Sequence, residues 1–370
     1  MGYRIDPGQP TDVELRRLLA EQLGRAALML RSEDGPDAEA VHDVRKALKK
    51  SRSVLRLGRA DLGASVVRHA NAELRRVGGD LAQQRDADSL VEAVDGLSPS
   101  LGAHLRDGSV DPAATASVQA QDVGLLASPA PGPETAQALA VVRSVLSERA
   151  DEVRDQGGLA RTTVIGAART LEQTLAWLRL VPAQATGWDA LGPGFARQYH
   201  RGRQAFHALP EQPSVDELHE WRKRVKDLWY HQRLFRRLWT DAQRPIVTAA
   251  EELAAILGDD HDLGLLLAHL SPPHDGGAAD GSAADDGDAG QQPSQQPWGQ
   301  EAADLRATVH PGAHHDLDPD VRRLVAEFVG SRRQLLQARA RQLGTLLYAD
   351  DPDAWRARHG AWWQAARTAG

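Results

Sequence analysis

His42 and His219 each open a stretch in which His, Arg and Lys recur at helical spacing. The first reads VHDVRKALKKSRSVLRLGR from Val41 and the second LHEWRKRVKDLWYHQRLFRR from Leu218. At about 100° per residue, His42, Arg45, Lys49 and Arg56 share one side, with Lys46 and Ser53 flanking them and Arg52 at the margin. Val44, Leu48, Ser51 and Leu55 fall opposite. The second stretch repeats the layout, with His219, Arg222, Lys226, Tyr230 and Arg233 on a polar stripe and Trp221, Val225, Leu228 and Phe235 behind it; Lys223 belongs to the same cationic block. Such faces suit anion binding. Guanidinium forks and ammonium groups make charge-assisted hydrogen bonds to phosphate oxygens. Two like charges about 6 Å apart at an effective dielectric near 20 repel by about 3 kcal/mol, so a polyanion relieves an empty cationic face. Counterion release then makes affinity strongly salt-dependent. In a field of cations imidazolium is disfavoured, whereas bound phosphate favours it. A ligand is therefore expected to raise the pKa of His42 and His219 and to bind more tightly toward mildly acidic pH. Reversing Arg45 and Arg222 to Glu is expected to weaken binding by orders of magnitude and leave helical content unchanged.

The likeness extends to both sides of these stretches, which argues for a copied supersecondary unit. Gly24-Arg25-Ala26-Ala27 corresponds to Gly202-Arg203-Gln204-Ala205, and Leu81 to Asp86 (LAQQRD) to Leu257 to Asp262 (LGDDHD), with offsets of 176 to 178 residues. Nearly every other segment also has helical period, and no run alternates like a strand. The expected helices are 11–31, 37–59, 64–78, 84–96, 134–155, 159–180, 189–208, 214–239, 244–257, 261–270, 318–346 and 352–367. Thr11 with Glu14 and Ser214 with Glu217 have capping-box spacing; Asp318-Pro319 and Asp351-Pro352 read as an N-cap followed by proline. The expected fold is all-α, two pseudo-symmetric helical bundles flanking a basic central cavity or groove. The first half spans 11–180, with a flexible insertion at 98–133, and the second 189–367, with a disordered insertion at 272–300. Both insertions are rich in Gly, Ala and Pro, the second also in Asp and Gln, and both follow the same element of the repeat.

Composition narrows the function further. A chain of 370 residues with 41% hydrophobic content can bury a large core, yet its net charge of −7 and pI near 6.1 argue against a general nucleic-acid coat. The basic function must be local: each histidine stretch carries seven Lys or Arg against one or two acids. The absence of cysteine excludes thiolate chemistry, Cys-based zinc sites and disulfides, and suits a reducing cytoplasm. The first thirty residues carry no apolar signal core, and no stretch approaches the roughly 18 apolar residues of a membrane span. Trp177, Trp221, Trp229 and Trp239 lie at core-compatible positions, Tyr199 and Tyr230 read as packing residues, and Asp86 and Asp262 as helix caps or partners for arginines.

The doubled His-x-x-Arg-x-x-x-Lys pattern (His42, Arg45, Lys49; His219, Arg222, Lys226) resembles the conserved histidine α-helical domain, abbreviated CHAD. Tyr199-His200-Arg201-Gly202-Arg203, the block Arg85-Asp86-Ala87-Asp88 and the segment Leu347 to Pro352 ahead of a tryptophan-bearing helix match as well. The resemblance implies a module that binds inorganic polyphosphate without catalysis or cofactor, in the cytoplasm and on polyphosphate granules. Carried onto this chain, the ligand positions are His42, Arg45, Lys46, Lys49, Arg52, Arg56, His219, Arg222, Lys223, Lys226 and Arg233, with Arg25, Arg201 and Arg203 from the preceding helices. Trp229 departs from the pattern where the first copy has Arg52. Two other readings stay open. His42-Asp43 and His261-Asp262 spell the dipeptide of a metal-dependent phosphohydrolase superfamily, although the two are not equivalent in the repeat. A helical scaffold for another polyanion is the third.

Overall fold

A computed structural model describes residues 2–32, 35–81, 85–97, 130–155, 160–270 and 317–368, all helices and connections with no strand among them. Twelve helices are described: α1 (Thr11–Leu30), α2 (Ala38–Leu57), α3 (Arg59–Leu62), α4 (Ala64–Asp80), α5 (Arg85–Asp95), α6 (Pro133–Asp155), α7 (Arg161–Leu180), α8 (Gly187–His207), α9 (Val215–Phe235), α10 (Thr240–Leu270), α11 (Pro319–Leu347) and α12 (Pro352–Thr368). The expected insertion at 272–300 lies outside the described residues, as do residues 98–129 of the other.

The two histidine-led helices form for reasons visible in their ends and faces. Asp37 caps α2, accepting from the Ala40 amide at 2.7 Å, and Gly58 closes it. Val41, Val44, Leu48, Ser51 and Leu55 are buried along one side. Ser214 and Glu217 make a reciprocal capping box at the start of α9, with Leu218, Trp221, Val225 and Leu228 buried behind. Asp318 and Asp351 accept amide hydrogens of Asp320 and Asp353, so both Asp-Pro starts fall where the sequence places them. The pairing expected at Thr11 does not form. Thr11 is the first helical residue with Pro10 ahead of it, and Glu14 instead accepts from the Asp6 amide at 2.7 Å and pairs with Arg17.

Helix α1 packs on α2 and α7, and α4 packs on α2 and α7, so these four close on one another. In the second part α8 packs on α9 and α12, and α10 on α9 and α11. The parts join where α8 meets α2 and α3, where α9 meets α2, where α10 meets α5 and where α11 meets α6. One continuous cluster of buried side chains runs through both. The closest backbone approach is at Gly194, buried on α8: a Cβ there would collide with the carbonyls of Arg56 and Leu57 at the end of α2.

One helix, α10, replaces the two expected at 244–257 and 261–270. Gly258 resembles a break in sequence, but it sits buried inside the helix, and a Cβ there would lie 3.5 Å from Arg222 Nη2. The glycine gives room for an arginine to cross. Trp221 is fully buried, as its position predicts, whereas Trp239 is 52% exposed beside Trp362 and is not a core residue. Tyr199 is buried and donates its hydroxyl to the carbonyls of Leu347 and Asp350.

Candidate anion-binding site

On α2 the cations face outward to different depths. His42, Lys46 and Lys49 are exposed, while Arg45, Arg52 and Arg56 are half-buried. Arg45 donates to the Leu81 carbonyl at 3.2 Å and the Gly78 carbonyl at 3.4 Å, satisfying the C-terminal end of α4. Arg25 on α1 is 68% exposed and pairs with Asp43 at 3.0 Å. On α9, His219, Arg222, Lys223, Lys226 and Arg233 are all half-buried. Lys223 pairs with Glu220 at 3.0 Å, and Arg233 lies 5.0 Å from the centre of the Trp229 ring. Tyr230 is buried and does not belong to the polar stripe. Arg203 on α8 donates Nε to the Tyr348 carbonyl at 3.2 Å. Arg201 is half-buried near Arg224, Asp227 and Glu220; burial and then Arg224 pull its pKa down.

The two histidine-led helices touch through polar groups near their C-terminal ends. Arg56 of α2 forms a salt bridge with Asp227 of α9, whose carboxylate is buried. His231 of α9, fully buried, hydrogen-bonds to the Ser53 carbonyl of α2 at 3.1 Å. The N-terminal segment lies across the same seam. The Ile5 amide donates to the Leu234 carbonyl at 3.1 Å, and the Tyr3 hydroxyl to the Lys50 carbonyl at 3.4 Å. The Tyr3 ring meets Tyr230 edge-on at 6.2 Å, with the Lys50 ammonium 5.4 Å from its centre.

Lys50 is where the charges of both helices converge. Burial lowers its pKa first, followed by Arg233 of α9, Lys46 of α2 and Arg25 of α1, with Asp43 opposing them; the result is about 8. A lysine held there is crowded by cations from two helices that are far apart in sequence. The helical projection of α2 does not single out Lys50, because its partner Arg233 lies on the other copy. In the repeat Lys50 corresponds to Asp227, the acid that binds Arg56.

Farther along α9, His219 lies against His261 of α10 with ring centroids 4.5 Å apart. Burial and then the cations Lys223 and Arg222 hold His219 at about 4; burial, then Arg222, hold His261 at about 3. Arg333 of α11 adds to the charge around His261, and its guanidinium also meets Asp260 at 3.0 and 3.1 Å. The side chains of Arg85, Asp86, Ala87 and Asp88 lie outside the described residues. Among the described residues no group of three or more His, Cys, Asp or Glu is placed to hold a metal ion, and no helix is long and apolar enough to cross a membrane. Two cavities of about 430 and 370 Å³ are lined by residues of α8 and α12, and of α10 through α12; neither includes a residue of α2 or α9.

The described residues form helices, and α2 and α9 meet through the Arg56–Asp227 salt bridge and the His231–Ser53 hydrogen bond, with cations of both helices near Lys50. Residues 15–271 match the family described as CHAD domain, well over half the chain, and the protein belongs to that family, which is associated with polyphosphate binding. No curated protein matches the chain. Helices α11 and α12 lie beyond the matched residues.

Proposed function

We propose that this chain binds inorganic polyphosphate without catalysis, along a track of cations that runs from α2 onto α9 and recruits the protein to polyphosphate granules. The observation that carries the reading is the convergence at Lys50, where Arg25 and Lys46 from one half and Arg233 from the other act on a single ammonium. A chain of phosphates lying there meets both helices at once. His42, Arg45, Lys46, Lys49, Lys50, Arg52 and Arg56 line the track in the first half, and His219, Arg222, Lys223, Lys226 and Arg233 in the second. Arg25 and Arg201 flank it. Arg203, turned to the Tyr348 carbonyl, acts by holding α8 to the end of α11.

The two halves are a duplicated pair in this reading. Arg45 reaches the Leu81 carbonyl, and Arg222 lies over Gly258, next to the Leu257 that the repeat sets against Leu81. Each histidine-led helix thus directs its first arginine at the corresponding part of the following helix.

The test is titration of long-chain polyphosphate against orthophosphate, RNA and heparin at two salt concentrations, read by thermal shift and calorimetry. Polyphosphate is expected to bind most tightly. Because Arg45 also satisfies the end of α4, its reversal to Glu would loosen that helix as well as the ligand. The exposed Lys46 and Lys49 give a cleaner test. Lys46→Glu with Lys49→Glu is expected to weaken binding by more than about tenfold with the helical circular-dichroism signal unchanged. Equal affinity for all four anions, or for the reversed variant, would refute the reading.

A further inference from the structure

His261 opens the second His-Asp dipeptide, and the polyphosphate track as drawn from the two histidine-led helices makes no use of it. Its ring is inclined 36° to that of His219, with the centroids 4.5 Å apart. The Nδ1 atoms of both rings are buried with no hydrogen-bond partner among the described residues. Two imidazoles with nitrogens in that condition, close to several cations, can gain from an added acceptor that carries negative charge.

The surroundings are cationic on most sides. Helix α9 sets Arg222, Lys223 and Lys226 about the pair, and its one acid there, Glu220, is tied to Lys223 and Arg224. Helix α11 sets Arg333 toward His261. On α10 the Asp260 carboxylate takes both arms of the Arg333 guanidinium and the Gln337 amide at 2.8 Å. Burial and then Asp262 raise the Asp259 carboxyl to about 6 against Arg332 and Arg222, so it also titrates near pH 6 and the comparison with His261→Gln is what isolates the imidazole. Helix α5, packed on α10, carries Glu92, which is exposed, Asp95, which is paired with Arg143, and Arg85, Asp86 and Asp88, whose side chains lie outside the described residues. Helix α8 brings Arg201 to Arg224 and Glu220, and α2 meets α9 farther along at Asp227.

We propose that His219 and His261, with Arg222 and Arg333, form a phosphate subsite that takes up a proton together with its anion. This rests on the polyphosphate reading and adds to it a helix, α11, that lies beyond the family match. Without ligand both imidazoles are neutral at physiological pH, because burial and the neighbouring cations oppose a further charge. Phosphate oxygens reaching the edges of the two rings supply acceptors for ring N–H groups and reverse the sign of the local field, so imidazolium becomes the favoured form. In the repeat His261 stands where the first half has Arg85, whose charge is permanent. The second half therefore grips its phosphates conditionally on pH.

The experiment titrates long-chain inorganic polyphosphate into the full chain near pH 6, by calorimetry in two buffers of different ionisation enthalpy. Long chains are used because their internal phosphates carry no proton at that pH. We expect net proton uptake by the native chain, smaller uptake by His261→Gln, and affinity falling roughly fivefold or more from about pH 6 to about pH 8. His261→Arg should retain affinity and flatten that dependence. As a second measurement on the unmutated chain, the imidazole ¹⁵N signals of His219 and His261 should move to imidazolium positions on adding polyphosphate. Binding with unchanged uptake in His261→Gln, or with neutral imidazole signals, overturns the subsite and leaves polyphosphate binding intact. Absence of any polyphosphate binding overturns both.

Discussion

Asp227→Ala removes the carboxylate that pairs with Arg56 at the seam between the two histidine-led helices. The Asp227 side chain is 5% exposed and that of Arg56 21%, so water can restore little of what the guanidinium loses. Breaking a buried pair by deleting one partner costs about 3–5 kcal/mol, because the other charge is left uncompensated. The fifth of Arg56 that remains exposed brings the expected loss to the bottom of that range or just below it, about 2–3 kcal/mol. Arg201, which feels the Asp227 charge, would lose a favourable neighbour as well. Urea unfolding of the native chain, Asp227→Ala, Arg56→Ala and the double variant forms a cycle, and the coupling energy should be at least about 1.5 kcal/mol. Polyphosphate should also raise the melting temperature of Asp227→Ala by more than it raises that of the native chain, since the ligand replaces a missing anion. A coupling energy near zero would mean that the pair contributes nothing to holding the halves together, and the argument for a built seam would fail.

Three further outcomes follow from single features. Gly194→Ala should destabilise the chain by at least about 2 kcal/mol, because the new methyl group meets the backbone carbonyls of Arg56 and Leu57, which cannot rotate away; thermal melting measures it. Burial holds His231 at about 4 and His359 at about 3, each below the ordinary value of 6.5, so the unfolded chain binds these protons more readily than the folded one. That stability is complete above about pH 6.5 and is lost as pH falls toward the folded values; for His231 the gap corresponds to roughly 3 kcal/mol. Denaturant midpoints should accordingly fall as pH drops below about 6.5, and His231→Gln should reduce that fall. Finally, Lys50→Gln should weaken polyphosphate binding and lower the slope of log affinity against log salt by about 0.7, the loss of one phosphate contact to a single strand.

The sequence made the helices legible because their signals are local. Capping at Ser214 and Asp318, the apolar positions of α2 and α9, and the lack of alternating segments all act within one or two turns. Errors arose where a distant residue changed the meaning of a local signal. Gly258 has the look of a helix stop until Arg222 is seen to cross it. Glu14 matches a capping box, but the Asp6 amide and Arg17 hold its carboxylate. Trp239 has helical spacing with core residues, yet no neighbour covers half its surface. The same limit applies to the site. Helical projection finds the stripes on α2 and α9, but Lys50 gains its importance from Arg233, and His261 from His219; neither pairing has a signature within one helix.

If the two histidine stretches are copies, as the proposed reading has it, their differences answer one physical requirement. Where α2 has Lys50, Arg52 and Val54, the corresponding positions of α9 hold Asp227, Trp229 and His231. Two identical cationic helices placed side by side would repel along their contact, and nothing would fix their register. Asp227 changes one of the meeting charges to its opposite and binds Arg56, and His231 hydrogen-bonds to the Ser53 carbonyl at 3.1 Å. Trp229 supplies an aromatic face for Arg233 in place of another cation. The second helix thus carries less net positive charge at the seam, where Arg233 remains, and sets Arg222, Lys223 and Lys226 about His219, where α10 and α11 add His261 and Arg333. A chain with Asp227→Lys and Trp229→Arg, which restores the first copy's pattern, should therefore be less stable at low ionic strength than at high. The native chain should show the weaker salt dependence of stability; equal salt dependence in the two would mean that repulsion at the seam did not shape the second copy.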